Sequence, residues 1–329
     1  MPEIFALAAN NLLTPAILFF ALGMGAGLLR SDLSVPESTA KTLSLYLMLA
    51  IGFKGGVEAS KAGLSTPFLS AAAAGVLLSF TIPVIAFFIL RAISKLDRVT
   101  TAATAAHYGS VSVVTFAAAL EFLRASQVPF GGYMVAVVAL METPAILTAL
   151  LLAGGGREGG GSAGRQGLRG ELFREVALNG SVVLLIGAFA VGAITGERGM
   201  ARMDMFVNPL FQGILALFLL DMGLVAARRL RESRSLTPAL VAFGIGMPLI
   251  SCALAVGLSA VMGVRPADAA VLAVLAASAS YIAVPAAMRI ALPKADPGVY
   301  LTLSLAITFP FNLIVGIPLY RAIVGWTLG

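Results

Sequence analysis

Ten stretches of mostly apolar residues follow one another along the chain and constrain its fold more than any other feature. They cover residues 12–29, 40–59, 66–90, 101–122, 130–153, 177–195, 205–227, 238–262, 268–288 and 299–320. A helix of about 20 residues crosses the hydrocarbon core of a bilayer. With 59% hydrophobic and only 12% charged residues, a soluble domain could not cover its surface with polar groups. The sequence therefore predicts an all-α polytopic membrane protein with ten transmembrane helices.

The distribution of basic residues gives these spans an orientation. When the N-terminus is placed outside, fifteen of the 22 lysines and arginines fall in loops after odd-numbered spans, and six fall on the opposite side. The remaining one, Lys54, lies inside the second span. Loops rich in lysine and arginine stay in the cytoplasm. We therefore expect both termini to be periplasmic or extracellular, and we attribute the net charge of +6 to cytoplasmic loops and not to a nucleic-acid-binding surface.

A glycine-rich segment, residues 154–170, is predicted to be a flexible cytoplasmic linker. It separates residues 1–153 from residues 171–329, and each half holds five predicted spans. Short matches recur between the halves at an offset of 171 residues, such as Thr66-Pro67 with Thr237-Pro238. The alternative is chance recurrence of common residues. Homologous halves with five spans each would insert in opposite directions, so the sequence predicts two inverted five-helix repeats, an architecture of secondary transporters.

Small and hydroxyl-bearing residues interrupt the fourth and ninth spans near their centres. Residues 107–115 read HYGSVSVVT, and residues 276–285 read AASASYIAVP. If both helices are discontinuous there, helix N-termini with free N–H groups face the centre of the membrane and can bind an anion, while freed carbonyl groups can bind a cation. The alternative is that these hydroxyls bond to their own helices and that the small residues allow close helix contacts.

Glu142 lies inside the fifth span beside Pro144, whose ring frees a backbone carbonyl. Charged residues at this depth are costly and are functional by default. A carboxylate with free carbonyls and hydroxyls suits Na⁺, and Glu142 can alternatively carry a proton or be a hydrogen-bonded structural acid. Thr308 and Asn312 occupy the corresponding part of the tenth span. We therefore predict ion coupling at Glu142, Thr308 and Asn312.

Lys54 in the second span and Asp221 in the seventh are the other deeply placed charges. Because these spans correspond in the two halves, we predict a structural ion pair between them. The chain has one histidine, His107, and one cysteine, Cys252, which excludes a metal centre built from such residues. No nucleophile–base pair is recognisable. The sequence thus predicts no enzyme and no cofactor besides a coupling ion.

Several of these segments resemble the sodium-dependent bicarbonate transporter superfamily, and the resemblance extends over nearly the whole chain. It is carried by residues 51–56 (IGFKGG), 109–120 (GSVSVVTFAAAL), 213–223 (GILALFLLDMG), 276–289 (AASASYIAVPAAMR) and 307–320 (ITFPFNLIVGIPLY). The resemblance implies a multi-pass protein of the bacterial inner (plasma) membrane. It further implies a gate domain of spans 1, 2, 6 and 7, a core domain of spans 3–5 and 8–10 that carries the discontinuous helices, and a homotrimer.

The same resemblance implies that bicarbonate and Na⁺ bind between the two helix breaks. The implied substrate-binding residues are Gly109, Ser110, Ser112, Thr115, Ser278, Ser280 and Tyr281. Glu142 falls where the family has an acidic residue on the fifth helix. The chain departs from the family's pattern at Tyr281, which replaces an acidic residue, and at Val113-Val114, which replace glycine and serine. Tyr281 can instead hydrogen-bond a different small anion, such as an organic carboxylate.

These observations favour a secondary active transporter that moves bicarbonate or a similar small anion with Na⁺ by alternating access. Proton-coupled or Na⁺-coupled uptake of a small organic carboxylate is the alternative within the same class. A non-transporting receptor or scaffold for a PII-like signalling protein is the alternative from another class. It rests on the association of the family with such a protein and on the basic clusters at residues 157–174 and 228–234.

Overall fold

The computed structural model of the protein describes residues 13–63, 65–154, 180–233 and 236–329, and within them all regular elements are helices. The helices of the N-terminal half are α1 (Pro15–Leu28), α2 (Glu37–Ala62), α3 (Thr66–Ile93), α4 (Arg98–Gly109), α5 (Val113–Ala125) and α6 (Met134–Ala153). Those of the C-terminal half are α7 (Gly180–Val207), α8 (Pro209–Glu232), α9 (Pro238–Met262), α10 (Pro266–Ala277), α11 (Ala283–Ala291) and α12 (Pro297–Thr327). Residues 155–170 of the predicted linker and residues 177–179 of the predicted sixth span lie outside the described residues.

Seven helical stretches in the described part of the chain are long and apolar enough to cross a membrane. They are Thr66–Ile93, Arg98–Ala125, Met134–Ala153, Val183–Val207, Pro209–Glu232, Pro238–Met262 and Pro297–Thr327. Of the other helices, α1 and α10 are apolar but shorter, and α2 carries several charged residues, including Lys54. The chain is therefore a multi-pass helical membrane protein, and each of the ten predicted spans coincides with at least one helix.

The predicted end of the sixth span coincides with a kink in α7. The sequence places the last residue of this span at position 195, and the helical backbone is interrupted at the next residue, Gly196, before a second helical segment continues to Val207. The backbone of Gly196 has a φ of 55° and a ψ of −145°, a conformation that only glycine adopts at little cost. Gly196 therefore ends the first helical segment of α7 and turns the chain into the second.

Two of the predicted spans consist of two helices each. In the fourth span α4 ends at Gly109 and α5 begins at Val113, and in the ninth span α10 ends at Ala277 and α11 begins at Ala283. The residue after each first helix is a serine with extended backbone: ψ is 176° at Ser110 and 164° at Ser278. Serine side chains compete with helical hydrogen bonds, so these residues help to end both helices inside the predicted spans.

Glycines allow two pairs of helices to bring their backbones into contact. On α2, Gly52 faces the carbonyl oxygen of Leu185 in α7, and on α8, Gly223 faces the carbonyl oxygen of Phe20 in α1. A methyl group at either glycine would overlap with the facing backbone. Small residues permit this close approach between membrane helices. The α2–α7 and α1–α8 contacts each join a helix of the N-terminal half to one of the C-terminal half, and both depend on a glycine.

The remaining helices enclose the two interrupted spans. α3 packs against α4 and α6, α9 packs against α10 and α12, and α3 and α9 contact each other. α12 is irregular, with π-helical turns at Thr302–Thr308 and Asn312–Gly316 on either side of Pro310. Proline removes a backbone donor, and π-helical turns rotate the side chains that follow them. Both Thr308 and Asn312 are fully buried against the broken helices.

Candidate functional site at the crossing of the broken helices

The two helix breaks lie against each other in the interior of the bundle. The amide nitrogen of Ser112 donates to the Oγ of Ser278 over 2.9 Å. The amide nitrogen of Ser280 donates to the carbonyl oxygen of His107 over 2.8 Å. Each break thus uses a backbone donor to bind the other, which satisfies groups that the interruption of a helix leaves free.

Two helices begin at this crossing and direct their N-termini towards it. Ser112 caps α5 because its hydroxyl accepts a hydrogen bond from the Thr115 amide over 3.2 Å. The Ser280 hydroxyl accepts one from the Val284 amide, in the first turn of α11, over 3.4 Å. A helix N-terminus carries partial positive charge and unpaired N–H groups. Two such termini at one place favour the binding of an anion.

A small cavity of about 10 Å³ lies at the crossing. It is lined by Met48, Val111, Ser112, Val113, Glu142, Ser280, Tyr281 and Ile282. Four of the predicted site residues, Ser112, Glu142, Ser280 and Tyr281, therefore share one cavity. Its volume holds about one water-sized particle. An anion as large as bicarbonate requires the lining side chains to move apart.

Glu142 lines this cavity from α6 and is only 4% exposed. Among the described residues, no lysine, arginine or histidine side chain forms an ion pair with its carboxylate. A buried carboxylate without a compensating charge is strongly disfavoured. Ser112, Ser280 and Tyr281 carry hydroxyl groups in the same lining, and oxygen ligands of this kind suit a hard cation. Glu142 is therefore the group of this lining that would attract a cation or a proton.

Three buried hydroxyl groups near the crossing have no hydrogen-bond partner of good geometry in the described part of the chain. They belong to Ser110, Thr115 and Tyr281, although the Tyr281 hydroxyl approaches the Ser112 side chain. Native proteins pair nearly all such groups. The hydroxyls of Ser112 and Ser278 do bond within their own helices, as the alternative interpretation expected. Of the other three residues, Tyr281 lines the cavity, whereas Ser110 and Thr115 are not part of its lining.

Gly109 ends α4 where the chain passes close to α3 and α6. A methyl group at this position would overlap with the ring of Pro83, inside α3, and would press on Ala145 of α6. The close approach therefore requires glycine. Gly109 allows the first break to pack closely against α3. This is a structural role in addition to its predicted contact with substrate.

Thr308 and Asn312 are not part of the lining of this cavity. Thr308 accepts a hydrogen bond from the Tyr108 hydroxyl over 2.7 Å and donates to a carbonyl of α9. Asn312 donates to the carbonyl of Ala277, the last residue of α10, over 2.8 Å and accepts from the Tyr320 hydroxyl. Asn312 thereby satisfies a carbonyl that the second break frees. The observed bonds position the breaks, and a part in ion coupling stays a prediction.

The predicted ion pair between Lys54 and Asp221 is not formed. Neither residue takes part in an ion pair with a described residue, and the Lys54 ammonium lies 5.4 Å from the centre of an aromatic ring of α8. Lys54 is in the field of Glu121, and Glu121 is bonded to Gln212 near the N-terminus of α8. Asp221 is in the field of Arg228, near the C-terminus of α8. The Lys54 ammonium thus contacts the start of α8, ten residues before Asp221 in the middle of that helix.

Asp268 is a buried acid that the sequence interpretation missed. Its carboxylate accepts hydrogen bonds from the Gly131 amide over 2.7 Å, the Tyr133 hydroxyl over 2.5 Å and the Nε of Arg265 over 2.6 Å. This network ties the first turn of α10 to the loop before α6 and so holds one half of the broken helix. The spacing of Arg265 and Asp268, three residues apart at the start of a helix, was the available signal.

Met48 is the contribution of α2 to the cavity. It is 2% exposed and lies in a long apolar run. A methionine there looks like any other core residue, so the sequence offered no signal for it. Its position brings a helix outside the α3–α6 and α9–α12 group into contact with the crossing.

The chain matches a known family over residues 15–325, and the family is described as the Na⁺-dependent bicarbonate transporter superfamily. Among curated proteins, no match to the chain is found. The family match includes both helix breaks and Glu142. No group of three or more histidine, cysteine, aspartate or glutamate side chains in the described residues could hold a metal ion. The chain belongs to the Na⁺-dependent bicarbonate transporter superfamily and is a membrane transporter, not an enzyme.

Proposed function

We propose that the protein moves bicarbonate or a similar small anion together with Na⁺ by alternating access. The observation that carries this proposal is the one cavity at which two helix N-termini and the Glu142 carboxylate meet. Positive helix ends attract an anion, whereas a carboxylate repels it and attracts a cation. The charges at such a site are balanced when an anion and a cation bind together. Joint binding of the two ions is what a symporter requires.

Each group at the crossing then has a defined role in binding the two ions. The N–H groups at the starts of α5 and α11 bind the oxygens of the anion, and the hydroxyls of Ser110, Thr115 and Tyr281 are additional donors. Na⁺ binds beside Glu142 and neutralises it. Because each ion reduces the cost of burying the other, neither binds well alone, and their affinities are coupled reciprocally.

Two variations on this function use the same site. Tyr281 supplies a hydroxyl to the cavity, and that extra donor favours a small organic carboxylate as the alternative substrate. Glu142 has no basic partner among the described residues, so a proton can take the place of Na⁺. The second variation is proton-coupled uptake.

We also propose that the ten predicted spans form two inverted repeats, with a gate domain of α1, α2, α7 and α8 and a core domain of α3–α6 and α9–α12. The contacts α2–α7 and α1–α8 support this arrangement. If α7 corresponds to α1 and α8 to α2, these two contacts are equivalent in the two repeats. Met48 then belongs to the gate domain, and movement of the core domain past it would open the cavity to either side. Placement in the bacterial inner membrane with external termini, the homotrimer and the PII-like partner remain predictions.

Uptake of labelled bicarbonate into proteoliposomes tests the proposal. We expect an inward Na⁺ gradient to accelerate uptake and a protonophore to leave it unchanged. Uptake that ignores Na⁺ and collapses with the protonophore would establish proton coupling instead. Competition by unlabelled organic acids would reveal the alternative substrate. Absence of flux with any of these anions, together with retained binding of a PII-like protein, would overturn transport in favour of a receptor.

A pair of serine variants localises the activity. Ser280→Ala removes a hydroxyl that belongs to the cavity lining and accepts a hydrogen bond from the Val284 amide of α11, so we expect uptake to fall by about tenfold or more. Ser70→Ala is the matched control, because the Ser70 hydroxyl bonds only to a carbonyl one turn earlier in α3. Equal uptake by the two variants would argue against the crossing as the transport site.

A further inference from the structure

A larger cavity of about 430 Å³ lies between α1, α5, α8 and α12. Its floor is formed by buried apolar residues that include Leu215, Leu219 and Leu313, whereas Ala125 and Gln212 at its rim are exposed. The cavity is therefore open at one end and closed at the other. Two of its walls, α1 and α8, belong to the proposed gate domain, and the other two belong to the proposed core domain.

The floor of this cavity lies about one helical turn from the crossing. On α5, Ala118 lines the cavity, and Thr115 with its unpaired hydroxyl comes three residues earlier. On α12, Phe309 comes one turn before the floor, and its ring centre is 5.4 Å from that of Tyr281. The Phe309 ring also contacts Phe20 of α1, with the centres 5.5 Å apart. Aromatic side chains thus separate the cavity from the site.

Arg321 is the uncompensated charge of this cavity. Its Nε is buried without a hydrogen-bond partner, and no acidic side chain in the described ranges forms an ion pair with it. The acid of the lining, Glu121, is already bound to Arg124 at 3.3 Å and to Gln212 at 3.2 Å. A cation in a cleft with low-dielectric walls raises the local concentration of anions.

We infer that this cavity is the entrance through which the anion reaches the crossing, and that Arg321 attracts the anion into it. The inference rests on the proposed anion transport and adds to it a selectivity residue outside the predicted site. The anion would collect beside Arg321 and pass Phe309 when the core and gate helices move apart. Arg321 would therefore affect the capture of substrate more than the rate of its translocation.

Modification of an introduced cysteine tests the charge of the cavity without any transport. Cys252 is the only cysteine and is 1% exposed, so Ala118→Cys in a Cys252→Ala background gives a single reporter at the floor. Its rates with a negatively charged and a positively charged methanethiosulfonate are each divided by the rate with a free thiol in solution. We expect the negative reagent to be favoured, and Arg321→Gln to lower the ratio of the two rates roughly tenfold.

Arg202→Gln is the matched control, because Arg202 lines a different cavity between α2 and α7. We expect it to leave the ratio unchanged. A ratio that Arg321→Gln does not change, or a reporter that neither reagent modifies, would overturn the inference.

A kinetic measurement then tests whether the anion passes through this cavity during transport. We expect Arg321→Gln to raise the KM for labelled bicarbonate roughly fivefold or more with little change in kcat, and Arg321→Lys to restore most of the affinity. A lowered modification ratio with an unchanged KM would mean that the anion enters elsewhere. If the parent protein shows no uptake, the proposed function fails, while the cysteine measurement still decides whether Arg321 makes this cavity selective for anions.

Discussion

The hydroxyl of Ser278 accepts a hydrogen bond from the amide nitrogen of Ser112 over 2.9 Å and donates one to the carbonyl of Leu275 over 2.8 Å. One small side chain therefore fixes the first break to the second and ends α10 at the same time. The bond joins residues 166 positions apart, so it sets the relative position of the two halves at the site.

Replacement of Ser278 by alanine should destabilise the protein measurably. The Ser112 N–H would remain buried without a partner, which costs about 1–3 kcal/mol of the free energy of unfolding. Thermal unfolding in detergent measures the effect, and uptake should fall in parallel. Ser60→Ala is the control, because the Ser60 hydroxyl bonds to a carbonyl of its own helix. A Ser278→Ala protein as stable as this control would contradict the linking role of Ser278.

A methyl group at Gly109 should be harmful although alanine favours helices. The new atom would overlap with the Pro83 ring, and overpacking of this kind costs about 1–3 kcal/mol. Displacement of the first break should also lower uptake. In the control Gly246→Ala nothing lies within 4 Å of the added atom, so we expect stability to be kept or raised by about 0.5–1 kcal/mol. Thermal unfolding of the two variants side by side makes the comparison.

Glu142→Gln should uncouple the protein from Na⁺. The amide keeps the shape of the side chain but removes the negative charge that compensates a cation, so stabilisation of the protein by Na⁺ should disappear. The melting temperature, recorded at increasing NaCl with choline chloride as the ionic-strength control, measures this. Glu142→Asp keeps the charge and should keep part of the shift. Retention of the full Na⁺-dependent shift by Glu142→Gln would place the cation elsewhere.

The parts of the site that the sequence predicted are those where polar residues interrupt an apolar span. Ser110, Ser112, Ser280 and Glu142 stand out for that reason, since polar and charged groups are costly at this depth in a membrane. Met48 could not be found in this way, because an apolar residue in an apolar helix carries no such contrast. Its contribution depends on which face of α2 meets the crossing, and only the packed structure gives that rotation.

The error at Lys54 and Asp221 has a related cause. A repeat offset indicates which helices correspond, but it does not give the depth of a side chain in the bundle. The Lys54 ammonium lies over the ring of Phe211, and Asp221 comes ten residues later on α8, which is about 15 Å further along the helix axis. A prediction of ion pairs from sequence requires this register, which arises from the helix contacts.

Asp97 caps α4 outside the membrane-spanning segments, and its protonation should affect stability. Its Oδ1 accepts hydrogen bonds from the amides of Val99 and Thr100, both over 2.9 Å. Burial alone would raise the pKa of Asp97, but the hydrogen bonds from Thr100 and Val99 outweigh burial and hold the pKa below its usual value. A group with a lower pKa in the folded chain stabilises it fully above the unfolded pKa, about 3.9. That stabilisation is lost as the pH falls through the folded value.

We therefore expect Asp97→Ala to lower the free energy of unfolding by about 1 kcal/mol at neutral pH, because the cap of α4 is lost. Asp97→Asn should retain most of the cap, since asparagine also accepts from backbone amides. The difference in stability between the parent protein and Asp97→Ala should shrink as the pH falls below about 4. Melting temperatures of the three proteins across this pH range test the expectation, with Asp32→Asn, an exposed acid outside the helices, as the control. Parallel pH profiles for the parent and Asp97→Ala would show that the charge of the cap contributes nothing.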